Sequence, residues 1–284
     1  MGLGVRNSPD QPTMVRGLTH LSNGDVIAVG TFAQAGNVSA NNVARWNGTT
    51  WSALGSGVTG QLAVVSRVVA RPNGNVAVGG SQFEFAGGVP VRCVAEWNGT
   101  TWSSVGATGV ESGVGFLGNL ASGDLLVAGS FNDIDNAPAN RIGIWNGSTW
   151  SIPDPGQTTG VNGSVGALGA LPNGDLVVGG EFTILGNPGA TNIARRNLAT
   201  GEWSGFGSGL AGAVSALTTF ANGDVVVAST HVSGSSMAIM RWSEANQTWS
   251  QVGDGVVGSV EKIVSLPSGD LVIGGRFDNV GVVS

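Results

Sequence analysis

Carboxylates in two loops are the residues whose type and spacing could support chemistry. Glu84 lies in one loop, and Asp133 and Asp135 lie in the run Asp133-Ile134-Asp135-Asn136 of another. Oxygen ligands of this kind bind calcium, but the run lacks the other ligands of a recognisable calcium loop, so solvated acidic side chains are the simpler interpretation. We therefore predict no metal site and no cofactor, and we keep Glu84, Asp133 and Asp135 as candidates for binding a partner.

Other catalytic sets are hard to assemble from this sequence. Its two histidines are His20 and His231, and a serine–histidine–aspartate site needs a geometry that the sequence does not supply. The single cysteine, Cys93, excludes an internal disulfide and a cysteine-based metal cluster. The glycine pairs end strands and do not open helices, so no phosphate-binding loop is expected. We predict no catalytic residue.

The composition limits the classes of protein and of partner. Of the 284 residues, 41% are hydrophobic and only 11% are charged, and glycine fills 49 positions. The apolar runs are short, and none approaches the roughly 18 residues of a spanning helix. The net charge is −6 and Lys262 is the one lysine, so no basic stripe exists for nucleic acid or an anionic membrane. These features predict a soluble all-β protein without nucleic-acid binding or membrane insertion.

Two turn signals recur along the chain with one period. The first is Asn/Ser-Gly-Asp/Asn, with its glycine at Gly24, Gly74, Gly123, Gly174, Gly223 and Gly269. The second is Trp-Asn-Gly-x-x-Trp, at 46–51, 97–102 and 145–150, with degenerate copies at 196–203 and 242–249. Two independent markers that share a period of about 50 residues indicate a tandem repeat.

Each period predicts four antiparallel strands. Asn-Gly accepts the positive φ angles of a tight hairpin, so the chain reverses at both signals. The second strand, such as 176–180, is apolar almost without alternation, which is typical of a strand covered on both faces. A loop of about ten residues is expected between the two hairpins. Stacking such units radially buries their faces, so we predict a β-propeller; a linear β-solenoid is the rival, but its rungs are shorter and lack two hairpins.

The glycine and tryptophan positions resemble those of kelch repeats. Glycine pairs end the second strand at 79–80, 179–180 and 274–275, and the first aromatic position, where kelch repeats usually carry Tyr, holds Trp46, Trp97, Trp145 and Trp242. The sequence also resembles the Trp-rich propeller repeats of bacterial surface and secreted proteins, and this resemblance implies an extracellular or cell-surface location. Copper oxidases on kelch-like propellers of the galactose-oxidase type use tyrosine ligands, and this chain has no Tyr. The resemblance therefore implies the scaffold without the copper site.

The recurring tryptophans and aspartates have structural explanations. Tryptophan can stack on sugars, but its recurrence at matched strand positions favours packing between repeats. The aspartate after each hairpin glycine is Asn75 in one copy, and no second carboxylate accompanies it at a fixed spacing. Hydrogen bonding within the turn is therefore preferred to a repeated metal site.

The last repeat lacks its second hairpin. It begins near residue 258, so the sequence predicts one domain over 1–284 with five complete blades and a partial sixth, arranged as a six-bladed ring. Residues 3–5 align with the stretch that follows a fourth strand. An exposed strand edge at the incomplete blade would also invite self-association.

The predicted function is a non-enzymatic interaction scaffold. The loops after the second strand vary while the scaffold repeats, and recognition usually resides in such loops, so we expect them to bind a protein or glycan partner at one end of the propeller. One alternative is a polysaccharide hydrolase or lyase, for which Glu84, Asp133 and Asp135 would have to converge in the central channel. Another is a purely structural segment of a longer repeat array.

Overall fold

The regular structure of the chain consists of antiparallel β-strands. The structure, a computed structural model, describes residues 4–7, 13–153, 160–185, 187–230 and 236–280. The chain divides into two compact units, Met1–Pro155 and Gly156–Ser284. In the described part of the chain, we find no helix that is long and apolar enough to cross a membrane.

The first unit contains three four-stranded sheets, each a meander in which consecutive principal strands pair. Its strands are β1 (Val5–Arg6), β2 (Met14–His20), β3 (Val26–Thr31), β4 (Gln34–Ala35), β5 (Val38–Ser39), β6 (Val43–Trp46), β7 (Trp51–Ala53), β8 (Val58–Thr59), β9 (Val64–Ala70), β10 (Val76–Ser81), β11 (Phe85–Ala86), β12 (Val89–Pro90), β13 (Val94–Trp97), β14 (Trp102–Ser104), β15 (Val114–Asn119), β16 (Leu125–Gly129), β17 (Asp133–Ile134), β18 (Ala137–Pro138), β19 (Ile142–Trp145) and β20 (Trp150–Ser151). Sheet 1 is β2-β3-β6-β7, sheet 2 is β9-β10-β13-β14 and sheet 3 is β15-β16-β19-β20.

The second unit contains two further meanders and a long hairpin. Its strands are β21 (Gly160–Val161), β22 (Ser164–Ala170), β23 (Leu176–Leu185), β24 (Asn187–Arg196), β25 (Trp203–Gly205), β26 (Val214–Thr219), β27 (Val225–Thr230), β28 (Ser236–Ser243), β29 (Thr248–Gln251), β30 (Val256–Ser265) and β31 (Leu271–Val280). Sheet 4 is β22-β23-β24-β25 and sheet 5 is β26-β27-β28-β29. The last hairpin, β30–β31, joins sheet 5 through a short pairing of β28 with β30.

Both predicted hairpin turns form at the same end of each sheet. The first turn in sheet 1 places Gly24 at a φ of 88°, and the second places Gly48 at 94°. In the second turn, the side-chain oxygen of Asn47 accepts hydrogen bonds from the backbone N–H groups of Thr49 and Thr50. We call this end of each sheet the hairpin end, and the opposite end the loop end.

The segment expected to be an irregular loop of about ten residues is instead a short β-ribbon. In sheets 1 to 3 it forms the pairs β4–β5, β11–β12 and β17–β18. Residues with positive φ, such as Gly36 and Asn136, let the chain reverse within the ribbon. In sheets 1 and 2 a third strand comes from the segment before the sheet: β1 pairs with β4 as β8 pairs with β11. In sheet 3 that segment contributes a single bridge, Val110 to Ile134. Val5 and Val58 therefore hold equivalent positions, which shifts residues 3–5 by about two residues from their sequence alignment with 54–57.

The tryptophans pack inside and between the sheets. In sheets 1, 2, 3 and 5 the two tryptophan rings of the second hairpin lie close together, with centroids 5.4 Å apart for Trp97 and Trp102. Trp102 is buried, and its Nε1 donates a hydrogen bond of 2.7 Å to the carbonyl oxygen of Leu54 at the end of sheet 1. Trp249 of sheet 5 donates in the same way to Phe206 of sheet 4. These contacts join neighbouring sheets, as the recurrence of the tryptophans predicts.

The two glycines of a Gly-Gly pair do different things. A Cβ atom on the second, Gly80, would overlap the carbonyl oxygen of Val64 in the adjacent strand, where the register shifts at a β-bulge. The first, Gly79, faces the next sheet, and a Cβ there would lie 2.7 Å from Val114 and 3.0 Å from Leu117. One glycine permits the bulge and the other permits close packing of two sheets.

Gly179 repeats this close packing in the second unit. A Cβ atom there would lie 2.6 Å from Val214 and 3.3 Å from Leu217 of sheet 5. The corresponding residue of the last hairpin is Gly274, and no atom lies within 4 Å of a Cβ placed on it.

Leucine at positions 79 and 274 provides a matched pair of variants. Gly79→Leu should lower the free energy of unfolding by about 2–3 kcal/mol, because the new side chain overpacks the contact with Val114 and Leu117. Gly274→Leu should leave it unchanged, because its Cβ enters open space. Urea unfolding followed by tryptophan fluorescence measures both, and equal losses in the two variants would contradict the packing role of Gly79.

Candidate functional site

Glu84 lies at the loop end of sheet 2, on the ribbon β11–β12. Its backbone N–H donates a hydrogen bond to the carbonyl oxygen of Thr59, and its carbonyl oxygen accepts one from the N–H of Val91. Its side chain is exposed. Phe85 and Val89 of the same ribbon are also exposed. The ribbon therefore presents a small apolar surface beside a carboxylate.

Asp135 holds the loop end of sheet 3 together. Its carboxylate accepts hydrogen bonds from the backbone N–H groups of Ala107, Thr108 and Gly109, at 2.9, 2.7 and 2.8 Å. The neighbouring Asp133 lies on β17, where it pairs with Pro138. The carboxylate of Asp135 thus joins the ribbon to the segment before the sheet, which is a structural contact that the sequence analysis did not identify.

The three predicted carboxylates do not form a metal-binding cluster. Within the described ranges, no three His, Cys, Asp or Glu side chains come close enough together to hold a metal ion. His231 lies outside the described residues. Cys93 is buried, and burial raises the pKa of its thiol, which fits a packed side chain better than a reactive one.

A concave site of the first unit lies between sheets 1 and 2 at their hairpin ends. This groove has a volume of about 490 Å³, within the usual range of ligand pockets. Its apolar lining includes Leu21, Ile27, Leu54 and Trp97. Arginine side chains at 45 and 71 line it as well. We call it the sheet 1–2 groove.

Ion pairs across strands fix the charged residues near the hairpin ends. In sheet 1, Arg45 of β6 pairs with Asp25, which follows the first hairpin glycine. In sheet 5, Arg241 pairs with Asp224 at 2.8 Å. The aspartates also interact with the turn: the N–H of Asp25 donates to the side chain of Asn23. The sequence predicted the turn bonding of these aspartates but not the arginine partner on the third strand.

Sheet 2 rearranges this pattern of charge. Asn75 and Glu96 hold the positions of Asp25 and Arg45, and Arg71 holds a position that is Leu or Phe in every other repeat. Arg71 Nε lies 3.2 Å from Glu96 Oε1. The third strand of sheet 2 therefore carries a negative charge where sheet 1 carries a positive one, and the cation Arg71, just after the first strand, compensates for it.

The Arg71 guanidinium is buried, with 4% of its side chain exposed. Burial lowers its pKa, and the nearby carboxylates of Glu96 and Asp124 oppose this effect. Among the described residues, Arg71 Nε and Nη1 have no hydrogen-bond partner of good geometry. Coulombic attraction to Glu96 is therefore the main interaction that keeps this cation in the interior.

The equivalent groove between sheets 4 and 5 is smaller. It measures about 220 Å³ and is lined by Leu171, Pro172, Arg195 and Glu244, among others. Arg195 of sheet 4 reaches across to Glu244 of sheet 5 at 2.8 Å. In sheet 2, Gly99 stands two residues after the tryptophan, as Glu244 does in sheet 5. Among the described residues, no such ion pair spans the sheet 1–2 groove.

The carboxylates of sheet 5 carry a pH dependence. Burial raises the pKa of Asp224, but hydrogen bonds from the Glu244 N–H and from Arg241 outweigh it, and the net pKa is lowered. For Glu244, burial is likewise outweighed by the hydrogen bonds from Arg195 and Trp242. Both groups therefore favour the folded state in their ionised form.

Repeated four-stranded antiparallel sheets with two hairpins each define a β-propeller domain. The chain belongs to the family described as the Rax2 C-terminal beta propeller domain, whose model matches residues 119–266. Such domains are in general scaffolds for binding and for protein interaction. Among curated proteins, none matches this chain.

Solved structures share the fold at low sequence identity. The structure titled "YCF48 bound to D1 peptide" is 14% identical, with a TM-score of 0.53 over 95% of this chain and 96% of that one. The extracellular domain of the one component system BT4673 from B. thetaiotaomicron is 7% identical, with a TM-score of 0.50 over 95% of this chain. This chain spans 38% of the length of that domain.

The Arg71–Glu96 pair can be tested against the uncharged pair of sheet 3, which has Leu120 and Ile144 at these positions. Arg71→Leu should lower the free energy of unfolding by about 2–4 kcal/mol, because it leaves the buried Glu96 without a partner. The double variant Arg71→Leu/Glu96→Ile should recover most of that loss. Chemical unfolding measures both, and a double variant no more stable than Arg71→Leu would contradict the pairing.

Asp224 should make the chain sensitive to acid. Because its pKa is lower in the folded state, its contribution is complete above the unfolded pKa of about 3.9 and is lost as the pH falls below that value. Asp224→Asn should therefore be less stable than the wild type at pH 6 and should lose less stability between pH 6 and pH 3. Urea midpoints across this range measure the difference, with Asp270→Asn at the exposed equivalent position as the control.

Proposed function

We propose that this chain is a non-enzymatic scaffold that binds a protein partner, and that the partner places an apolar side chain in the sheet 1–2 groove. The observation that carries the proposal is the open groove itself. It lies where the equivalent site between sheets 4 and 5 is bridged by Arg195 and Glu244.

The chemistry of the groove favours an apolar group with a polar end. Leu21 and Trp97 are only partly buried, so they offer an apolar surface that gains by exclusion of water. Arg45 is already paired with Asp25, and its side chain is only partly buried. A carbonyl or carboxylate of the partner can share the guanidinium without breaking that pair, since guanidinium carries five N–H donors.

A propeller of similar length gives limited support. The structure of YCF48 contains a bound D1 peptide, and each chain covers nearly the whole of the other. At 14% identity the likeness concerns the fold alone, and it shows that a propeller of this size can hold a peptide.

The loop-end ribbons are a second candidate surface for the same function. Equivalent positions of the first three ribbons hold Gln34, Phe85 and Asp133. Variation at these positions on a constant scaffold supports loop recognition of a protein or a glycan. Phe85 with Val89 and Glu84 is its strongest part, because an exposed aromatic ring can anchor a partner.

The two alternative functions are less well supported. A polysaccharide hydrolase or lyase needs Glu84, Asp133 and Asp135 to act together, yet the carboxylate of Asp135 is occupied by three backbone N–H groups. A purely structural array segment does not need an open groove at one sheet pair.

Other properties that the sequence implies stay predictions. These are a kelch-like assignment, a bacterial origin, an extracellular or cell-surface location, a single domain over 1–284 and a six-bladed ring. Self-association at the last repeat, also expected from the sequence, stays a prediction as well.

A screen with two probes tests the proposed function. The chain is presented to a phage-displayed random peptide library and to a glycan array. Selected peptides should carry an apolar residue, and Ser22→Trp, which fills the groove from an exposed turn, should weaken their binding at least about tenfold.

Matched variants separate the two surfaces. Ala121→Trp changes the equivalent turn of sheet 3 and should leave peptide binding unchanged. Phe85→Asp removes the loop-end anchor. Loss of binding in Phe85→Asp alone would move the site to the loop end, and weak, nonspecific binding to both probes would favour the structural alternative.

A further inference from the structure

The groove between sheets 4 and 5 holds a carboxylate of the chain itself, that of Glu244. Its Oε2 atom accepts a hydrogen bond of 2.8 Å from Arg195 Nη2 and one of 2.9 Å from Trp242 Nε1. Arg195 lies on β24 of sheet 4, whereas Trp242 lies on β28 of sheet 5 and Glu244 directly follows that strand. One carboxylate oxygen therefore joins an arginine of one sheet to a tryptophan of the next.

The sheet 1–2 groove contains the same two donors. By strand register, Arg45 of sheet 1 holds the position of Arg195, and Trp97 of sheet 2 holds that of Trp242. Both Arg45 and Trp97 line the groove. The two side chains that bind a carboxylate between sheets 4 and 5 thus have counterparts at the equivalent place between sheets 1 and 2.

The carboxylate itself has no counterpart there. By its distance from the tryptophan, Gly99 replaces Glu244, and it has no side chain. The side-chain oxygen of Asn98 accepts a hydrogen bond from the N–H of Thr100, so this residue is held within its own turn. Trp97 is partly exposed, and among the described residues none accepts a hydrogen bond from its Nε1. The indole N–H is therefore available to an acceptor from outside the chain.

Arg45 is also more accessible than its counterpart. Its side chain is 43% exposed, against 22% for Arg195. Its Nε and Nη2 atoms both bind Asp25. Because a guanidinium carries five N–H donors, further donors are left for a second carboxylate while the pair with Asp25 is kept.

The charge of the groove lining favours an anion. Among the described residues, the charged ones that line this groove are the cations Arg45 and Arg71, and not the carboxylates paired with them. Asn75 lines the groove at the position where every other repeat has aspartate. A neutral amide thus replaces a carboxylate that would repel an anionic ligand.

We propose that the partner inserts the carboxylate of a glutamate side chain between Arg45 and Trp97, in the place that Glu244 takes in the groove between sheets 4 and 5. The residue next to this glutamate is apolar and packs on Leu21. This inference rests on the proposed function, because it needs a protein partner in the sheet 1–2 groove, and it adds the chemical class of the segment that binds: an acidic residue beside an apolar one.

Two synthetic peptide pools test the proposal. Both hold a leucine in an otherwise random sequence, with glutamate on each side of the leucine in one pool and glutamine in the other. Surface plasmon resonance measures the binding of each pool to the whole immobilised chain. The glutamate pool should bind at least about tenfold more tightly, because charge-assisted hydrogen bonds are stronger than neutral ones.

Variants of the two donors locate the carboxylate. Arg45→Gln should weaken binding of the glutamate pool at least about tenfold and should leave the glutamine pool unchanged. Trp97→Phe keeps a ring but removes the N–H, and it should weaken the glutamate pool about threefold.

Matched controls change equivalent residues away from the groove. Arg241→Gln breaks the equivalent pair with Asp224 in sheet 5, and Trp145→Phe changes the equivalent tryptophan of sheet 3. Both should bind the glutamate pool like the wild type. Circular dichroism of each variant confirms that it is folded, and the comparison of the two pools on the wild type needs no variant.

The outcomes separate this inference from the proposed function. Equal affinity for the two pools, with binding that Ser22→Trp weakens, overturns the glutamate site and leaves the proposed function in place. Binding that Ser22→Trp does not change, or no binding of either pool, overturns both. A preference for glutamate that survives Arg45→Gln overturns the site. Binding of uronate-bearing glycans in place of the glutamate pool overturns it as well, because the carboxylate would then belong to a sugar.

Discussion

Close packing of one sheet on the next is the contact on which the rest of the structure depends. A four-stranded meander has apolar residues on both faces of its second strand and cannot bury them alone. Gly79 and Gly179 let the following sheet approach until a valine and a leucine touch the backbone. The aligned hairpin ends, the grooves between them and the variable ribbons at the other end all follow from that approach. Where it has no partner, as at Gly274, the same geometry leaves an apolar surface.

The ion pairs near the hairpin turns also recur from repeat to repeat, and their residues differ in one repeat, that of sheet 2. The aspartate after the hairpin glycine is paired with a third-strand arginine in sheets 1 and 5. Sheet 2 keeps an ion pair with other residues, Arg71 and Glu96, at the cost of burying a guanidinium. An ion pair in this position is rarely a gain over an apolar pair. Its presence beside the sheet 1–2 groove therefore favours a role in recognition over one in stability.

The sequence predicted the repeat and its two hairpins well, because Asn-Gly turns and tryptophans are local signals with a fixed period. It missed features that depend on contacts between distant residues. The ribbon β11–β12 needs β8, a segment before the sheet, as its third strand. Asp135 was recognised as a carboxylate, but its three backbone donors at 107–109 could not be located from its neighbours in sequence. The sheet 1–2 groove lacks, among the described residues, the ion pair that spans the groove between sheets 4 and 5. The absence of a residue produces no sequence motif. Only comparison of Gly99 with Glu244, repeat against repeat, would have pointed to it.

The shared ribbons have a consequence for how such a chain can change its length. The ribbon of sheet 2 takes its third strand from the end of the previous repeat, because β8 follows sheet 1 and pairs with β11, and the ribbon of sheet 3 takes a single bridge, Val110 to Ile134, in the same way. Neighbouring repeats therefore share backbone pairing, and a sheet with its ribbon cannot be removed without breaking a pairing of the next repeat. A gene duplication that copies one full period restores every pairing wherever its breakpoints fall, whereas one that copies part of a period breaks a ribbon and a meander together. A duplicated segment must therefore span a whole number of repeat periods, but it can begin at any residue of the period. Arrays can thus expand by whole repeats while the surface residues of each copy diverge.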